Sequence, residues 1–382
     1  MNMLLFWSCA ILLAYAHFGY PAVLRLLARR RTARPSSPTG LTGPTGDETL
    51  PRLSILLSVY NEEAVMARKI ENFLALDYPQ DLIELLVVSD GSTDATDDIV
   101  RKAGKANVRL LRQEGRLGKT AALNMAAPEA SGDVLVFTDA NSMFEPDAAR
   151  RLASHFADPT VGLVSGRTRY HLPQGGESSG GVYQRYESFL REGESALNSI
   201  VGADGAIYAL RASLYRPLPP RHINDFLHPI QAVLAGYRAV SDPQAVCVEP
   251  AEDRGADEFR RQTRIMSQSW DIFFSQLPEL LAAKRFGYCW QLVSHKALRW
   301  TSVPLLAGST LAGLALMGEG GFYVLASMVQ LGFLALAAAG AGTRSGAPRV
   351  AFLFMLLNLA AVNGLVRYMR GDRFVTWEPR AS

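Results

Sequence analysis

Residues 54–63 read SILLSVYNEE and residues 83–94 read IELLVVSDGSTD. Each is an apolar run that stops on a polar cluster, Tyr60-Asn61-Glu62-Glu63 in the first and Asp90-Gly91-Ser92-Thr93-Asp94 in the second. A third run, DVLVFTD, closes on Thr138-Asp139-Ala140-Asn141. Polar groups at the carboxyl ends of parallel strands gather in the crevice where open α/β sheets bind nucleotides and phosphates. Helix-like spacing of apolar residues fills the intervals EEAVMARKIENFLAL (62–76) and DATDDIVRKAG (94–104), the second with Ser92 or Thr93 as its expected N-cap. A short strand VRLL (108–111) lies between. This alternation predicts an α/β fold with a mostly parallel sheet and right-handed crossovers. The segment VGLVSGRTRY (161–170) adds a strand, QGGESSGG (174–181) reads as a loop and candidate lid, and HPIQAVLAGYRAV (228–240) contains a helix.

The chain has 382 residues and a formal net charge of +3, so charge gives no sign of a nucleic-acid partner. Cys9, Cys247 and Cys289 have no metal or redox spacing. Apolar residues crowd the two ends. Met3 to Leu24 carries no charge and is close to the length needed to cross a bilayer, and Arg25, Arg29, Arg30, Arg31 and Arg34 follow it. The positive-inside rule then puts the N-terminus outside and the following domain in the cytoplasm. Three more uncharged blocks, Trp300–Met317, Gly321–Ala341 and Val350–Val366, are each long enough to span with modest tilt. Here charge and parity disagree. Simple alternation places the tail outside, yet it carries Arg367, Arg370, Arg373 and Arg380. One block is therefore expected to be interfacial or re-entrant, and the sequence does not say which. Asp257 to Leu281 is amphipathic and aromatic, as expected of a helix at the membrane surface.

Seven pieces in order, SVYNEE, VVSDGSTD, GRLGKTAALN, FTDAN, VGADGAIYALR, IND and RRQTRIMSQSW, resemble the membrane-bound glycosyltransferases of family 2, among them chitin-oligosaccharide, hyaluronan, cellulose and poly-N-acetylglucosamine synthases. The resemblance implies a GT-A-type nucleotide-sugar-binding domain with N- and C-terminal transmembrane helices. It divides the chain into an anchor (1–27), a linker (28–50), the GT-A domain (51–256), interfacial helices (257–299), transmembrane helices (300–367) and a tail (368–382). By the same resemblance Tyr60 and Glu62 hold base and ribose, Asp90 faces the uracil edge, and Gly118 and Lys119 take the diphosphate. Asp139 and Asn141 occupy the family's D-x-D position and would ligate Mg²⁺ or Mn²⁺, with a neutral amide where the second carboxylate is usual. Gly202, Ala203, Asp204 and Gly205 form the acceptor-side loop, and Asp225 is the catalytic base of an inverting transfer. His228 reads as structural. Arg264 keeps the arginine of the Q-x-x-R-W signature, but Arg261 replaces its Gln and Ile265 its Trp, which puts processive synthesis in doubt.

The implied activity is transfer from a UDP-sugar to a glycan or lipid-linked acceptor, in contact with membrane lipids, on the cytoplasmic side of the cell (inner) membrane. The rival readings are a single-sugar transferase onto a polyprenyl phosphate or diacylglycerol, and a catalytically idle glycan-export subunit.

Overall fold

β1 (Leu53–Val59) is buried at all seven positions, which an amphipathic strand would not tolerate and a doubly covered central strand requires. Ile55, Leu57 and Val59 point into one core with Met66, Ile70, Phe73 and Leu152. Leu56 points into the other, with Leu86, Leu123 and Leu135. β1 pairs in parallel with β2 (Ile83–Ser89), and β2 with β3 (Val108–Arg112). On its other edge β1 pairs in parallel with β4 (Val134–Thr138). The remaining strands are β5 (Met143–Phe144), β6 (Val161–His171), β7 (Ile207–Arg211) and β8 (Arg238–Pro250), and the sheet order is β3-β2-β1-β4-β7-β6-β8-β5. The parallel half is as the sequence predicts. The other half is mixed: β7 is antiparallel to both β4 and β6, and β8 is parallel to β6.

This computed structural model describes residues 1–32, 50–171, 179–250, 256–343 and 346–376. It divides into a sheet unit (Arg31–Pro173, Arg191–Ala251, Arg373–Ser382) and a helical unit (Met1–Arg30, Gln174–Leu190, Glu252–Asp372). Residues 179–190, inside the span expected to be one GT-A domain, thus group with the helices, and residues 373–376 group with the sheet. Most of the expected linker and lid lie outside the described residues, though 179–181 begin the helix Ser179–Leu197.

In the helical unit Asn2–Arg30, Gly321–Gly342 and Gly346–Met369 are long and apolar enough to cross a membrane. The fourth expected span is a helix of only 14 residues, Ser302–Ala315. At 1.5 Å per residue that is about 21 Å, short of a hydrocarbon core of about 30 Å. The expected amphipathic helix forms as Ala256–Ala282, with Phe274 exposed and Trp270 and Phe273 buried. Trp270 is buried, its Nε1 donates to the Ala361 carbonyl at 3.1 Å, and its ring meets Phe273, Phe274 and Trp300. Asn363 Nδ2 donates to Thr263 Oγ1 at 3.3 Å, the helix-to-helix role expected of an asparagine there.

Candidate active site

The loops leaving β1 and β2 are laced together. Asn61 adopts a left-handed φ of 52° and accepts from the Thr93 amide at 2.9 Å, while its own amide donates to Ser92 Oγ at 3.1 Å. The Glu62 amide donates to Thr96 Oγ1 at 2.8 Å. Asp94 accepts from the Thr96 amide and hydroxyl and from the Glu63 amide. Burial alone would raise the Asp94 pKa; the bonds from Thr96 and Glu63 outweigh it and hold the carboxyl below its usual range. The N-cap of the helix Thr96–Lys102 is Ala95, not Ser92 or Thr93, and Asp94 just before it bonds the first helical residue, Thr96.

Asp90 is fully buried, and its carboxylate accepts from Gln113 Nε2 (2.8 Å), the Leu117 amide (2.7 Å) and the Gly118 amide (2.9 Å). These bonds fold the 113–118 loop back over the strand ends. Gly91 allows the close approach: at φ 74°, a Cβ there would stand 2.8 Å from the Gly115 carbonyl oxygen. The loop sets the Arg116 guanidinium over the Tyr60 ring, 4.1 Å from its centroid. Arg116 Nε and Nη2 are buried without a hydrogen-bond partner, so donors are left for a ligand beside Tyr60. Neither Gln113 nor Arg116 stands out in the sequence, because both act through a loop whose path Asp90 determines. Gly118, at φ 94°, packs against the backbone of Val375 in the tail, where any side chain would collide.

Lys119 opens the helix Lys119–Ala126 and forms an ion pair with Asp139. Beneath them is a cation outside the sequence motifs. Lys69 is buried on the helix Glu63–Leu74, donating to Thr138 Oγ1 at 3.0 Å and to the Ser142 carbonyl, with its ammonium 5.0 Å from the Phe144 ring centroid. Burial lowers its pKa to about 8, against the opposing influence of Cys247, Asp139 and Glu249. Ser142 Oγ in turn bonds the buried carboxylate of Glu249. Asp139 and Asn141 offer one carboxylate and one amide oxygen. No cluster of three or more His, Cys, Asp or Glu able to hold a metal exists among the described residues. Such a donor set suits a hard divalent ion that takes its other ligands from diphosphate oxygens and water.

The acceptor side is built differently. The Ala203 amide donates to the Asp225 carbonyl at 2.9 Å, and a Cβ at Gly205 would stand 2.7 Å from Asp225 Oδ2, so Gly202–Gly205 wraps the proposed base. Asp204 is anchored away from it, accepting from Thr168 Oγ1 at 2.7 Å and the Thr168 amide at 3.0 Å. Behind Asp225, Tyr208 stacks on Phe137 at 4.5 Å and bonds Asn224 Nδ2 (2.5 Å) and His228 Nδ1 (2.9 Å). Burial pushes the Tyr208 phenol well above its ordinary value; Asn224 opposes this and the charges of Asp225 and Asp139 add to it. His228 is fully buried and burial pushes its pKa down to about 3, so it packs rather than exchanges protons. Arg264 stands in the helical unit, where burial and then Arg261 lower its pKa to about 10. Tyr60, Glu62, Asp90, Gly118, Lys119, Asp139, Asn141, Gly202–Gly205 and Asp225 all fall in the sheet unit.

A parallel half-sheet with polar strand ends, an adjoining mixed half and one carboxylate on each side define a GT-A glycosyltransferase fold. Comparison with known proteins agrees: residues 54–214 match the Glycosyl transferase family 2 model. It is 29% identical over 166 residues to the beta-monoglucosyldiacylglycerol synthase of Synechocystis sp., which covers 42% of this chain and 34% of that protein. It is 33% identical over 125 residues to the poly-beta-1,6-N-acetyl-D-glucosamine synthase of Staphylococcus aureus, 32% of this chain and 30% of the relative. The matched stretch thus spans about a third of either relative. A mannosyltransferase from Pyrobaculum calidifontis, solved with GDP-Man and Mn²⁺, superposes with a TM-score of 0.69 at 25% identity, covering 96% of this chain and 99% of the other.

Proposed function

We propose that this protein is an inverting glycosyltransferase that moves a sugar from a nucleoside-diphosphate donor, expected to be a UDP-sugar, to a lipid-linked or glycan acceptor at the cytoplasmic face of a membrane. One observation carries this reading. The Phe137–Tyr208 stack and the bond from Thr120 Oγ1 to the His222 carbonyl at 2.7 Å join the Lys119–Asp139 pair to the segment bearing Asp225. Inverting transfer needs that pairing, with charge neutralisation for the departing diphosphate beside a carboxylate that takes the acceptor hydroxyl's proton as the oxygen attacks the anomeric carbon. Arg116 and Tyr60 hold the base, Lys119 the diphosphate, and Asp225 the proton. A divalent ion at Asp139 and Asn141, when bound, would stabilise charge on the leaving diphosphate.

The proposed membrane sidedness is supported by connectivity. Residues 373–376 group with the sheet, with Val375 against Gly118, so the chain must return to the catalytic side after its last helix. That requires an even number of crossings after the sheet unit. The two long helices Gly321–Gly342 and Gly346–Met369 supply it, with Ser302–Ala315 taken as a helix that does not cross. The tail arginines then lie in the cytoplasm, at the cost of placing Arg344 and Arg349 outside.

The product is short. Ile265 stands where an aromatic sugar platform would be, and the two obvious substitutes, Trp270 and Tyr208, are buried in packing. A lipid acceptor is in keeping with the name of the Synechocystis relative. The test is a screen of UDP- and GDP-sugars with purified protein and lipid extract, reading nucleotide release and product size. Single or few additions support the reading, a polymer ladder contradicts the short product, and no release with any donor supports an idle subunit.

A further inference from the structure

We propose that Lys69 is a positioning residue that clamps both ends of the Thr138–Ser142 turn from beneath, so that Asp139 and Asn141 present their oxygens to one divalent ion. The inference rests on the reading of that turn as the ion-binding element of a nucleotide-sugar site. Its basis is where the ammonium is placed. A buried cation is costly, and an apolar residue of similar size would pack at this position with less penalty. Yet Lys69 is 3% exposed, and its ammonium donates to Thr138 Oγ1 on one side of the turn and to the Ser142 carbonyl on the other, beside the Phe144 ring. Thr138 and Ser142 flank Asp139-Ala140-Asn141, and the Ser142 amide closes the turn on the Asp139 carbonyl at 3.2 Å. Ser142 is held a second time, through its hydroxyl, by Glu249 on β8. The turn is thus fixed by a cation from one side of the sheet's sequence and an anion from the other.

That rigidity matters more here than where two carboxylates ligate. Asn141 brings no charge, so its oxygen contributes only when already in place; a mobile amide would be outcompeted by water. Removing a group that orients metal ligands costs about 10–100-fold in metal affinity.

The test is Lys69→Met in the full chain, with melting temperature and far-UV spectrum as the check on folding. Mn²⁺ affinity is read from the free-ion EPR signal with UDP or GDP present, and nucleotide affinity is read separately in EDTA. Expected is a loss of at least about tenfold in Mn²⁺ affinity, with metal-free nucleotide affinity within about twofold, since Tyr60 and Arg116 do not depend on Lys69. A purely structural lysine would lower both or neither. Folded Lys69→Met with wild-type Mn²⁺ affinity overturns the proposal. Asp139→Ala run alongside separates the two layers: if it also leaves Mn²⁺ affinity unchanged, the ion-site reading itself has failed. Should Lys69→Met not fold, Thr138→Val and Ser142→Ala each remove one arm of the clamp. A drop of about threefold or more in Mn²⁺ affinity in either supports the clamp, and no drop in both overturns it.

Discussion

The two halves of the sheet unit achieve their geometry by different means. In the parallel half, the loops after β1 and β2 and the 113–118 loop are fixed by side chains bonded to backbone amides, with Asp90, Asn61 and Asp94 as the acceptors. In the mixed half, Asp225 is placed by close packing of Gly202–Gly205 and by the Tyr208–His228–Asn224 cluster behind it. A half held by buried hydrogen bonds couples binding to folding. The buried bonds of the mixed half hold the Asp225 backbone and the cluster behind it, so the carboxylate can lose its chemistry while fold and donor binding survive.

Asp90→Ala breaks the first kind of order. It strands the Leu117 and Gly118 amides and Gln113, and at roughly 1–3 kcal/mol for an unsatisfied buried group the loss of unfolding free energy should reach about 3 kcal/mol, with nucleotide binding lost as well. Thermal unfolding together with nucleotide titration checks this; a variant that melts as wild type would show that the loop does not need its latch. Gly205→Ala breaks the second kind. Its methyl would crowd Asp225 Oδ2, and misplacing a catalytic group by about 1 Å can cost about a hundredfold in rate. We expect kcat to fall on that scale while melting and nucleotide affinity hold. A parallel fall in nucleotide affinity would mean that the halves are not separable. Arg116→Ala sharpens the comparison within the nucleotide half. It removes the buried guanidinium donors left beside Tyr60. At about 1.5–3 kcal/mol for a hydrogen bond to a charged group, nucleotide binding should weaken about tenfold or more. The lost stack on Tyr60 should lower stability by no more than about 0.5–2 kcal/mol. Calorimetric titration of UDP and of GDP decides it.

The same contrast explains how far the sequence can be read. The parallel half is legible because each strand is a continuous apolar run and its chemistry sits at the strand's own end, as Tyr60, Asp90 and Asp139 do. The mixed half is not: nothing local in Ile207–Arg211 says that β7 inserts between β4 and β6, since that depends on pairings far apart in the chain. Lys69 shares the buried stripe of its helix with Met66, Ile70 and Phe73. The helical spacing carries that signal but does not name what the ammonium bonds, because Thr138 and Ser142 lie 69 and 73 residues away in the chain. Trp270 misleads. An aromatic residue on an amphipathic stretch suggests a membrane surface, whereas its indole is satisfied by the Ala361 carbonyl. The apolar block Trp300–Met317 is long enough to span with tilt, whereas the helix formed within it, Ser302–Ala315, has 14 residues, a boundary that the hydropathy of the block does not show.

The central claim is that Asp225 is the base of a sugar transfer whose donor is held by the other half of the site. Asp225→Asn tests it most directly, with nucleotide release and nucleotide affinity measured on the same preparation. The amide cannot take up the acceptor's proton, so release in the presence of acceptor should fall by about 10²–10⁴-fold, with nucleotide affinity unchanged. Near-normal turnover in Asp225→Asn would contradict the account.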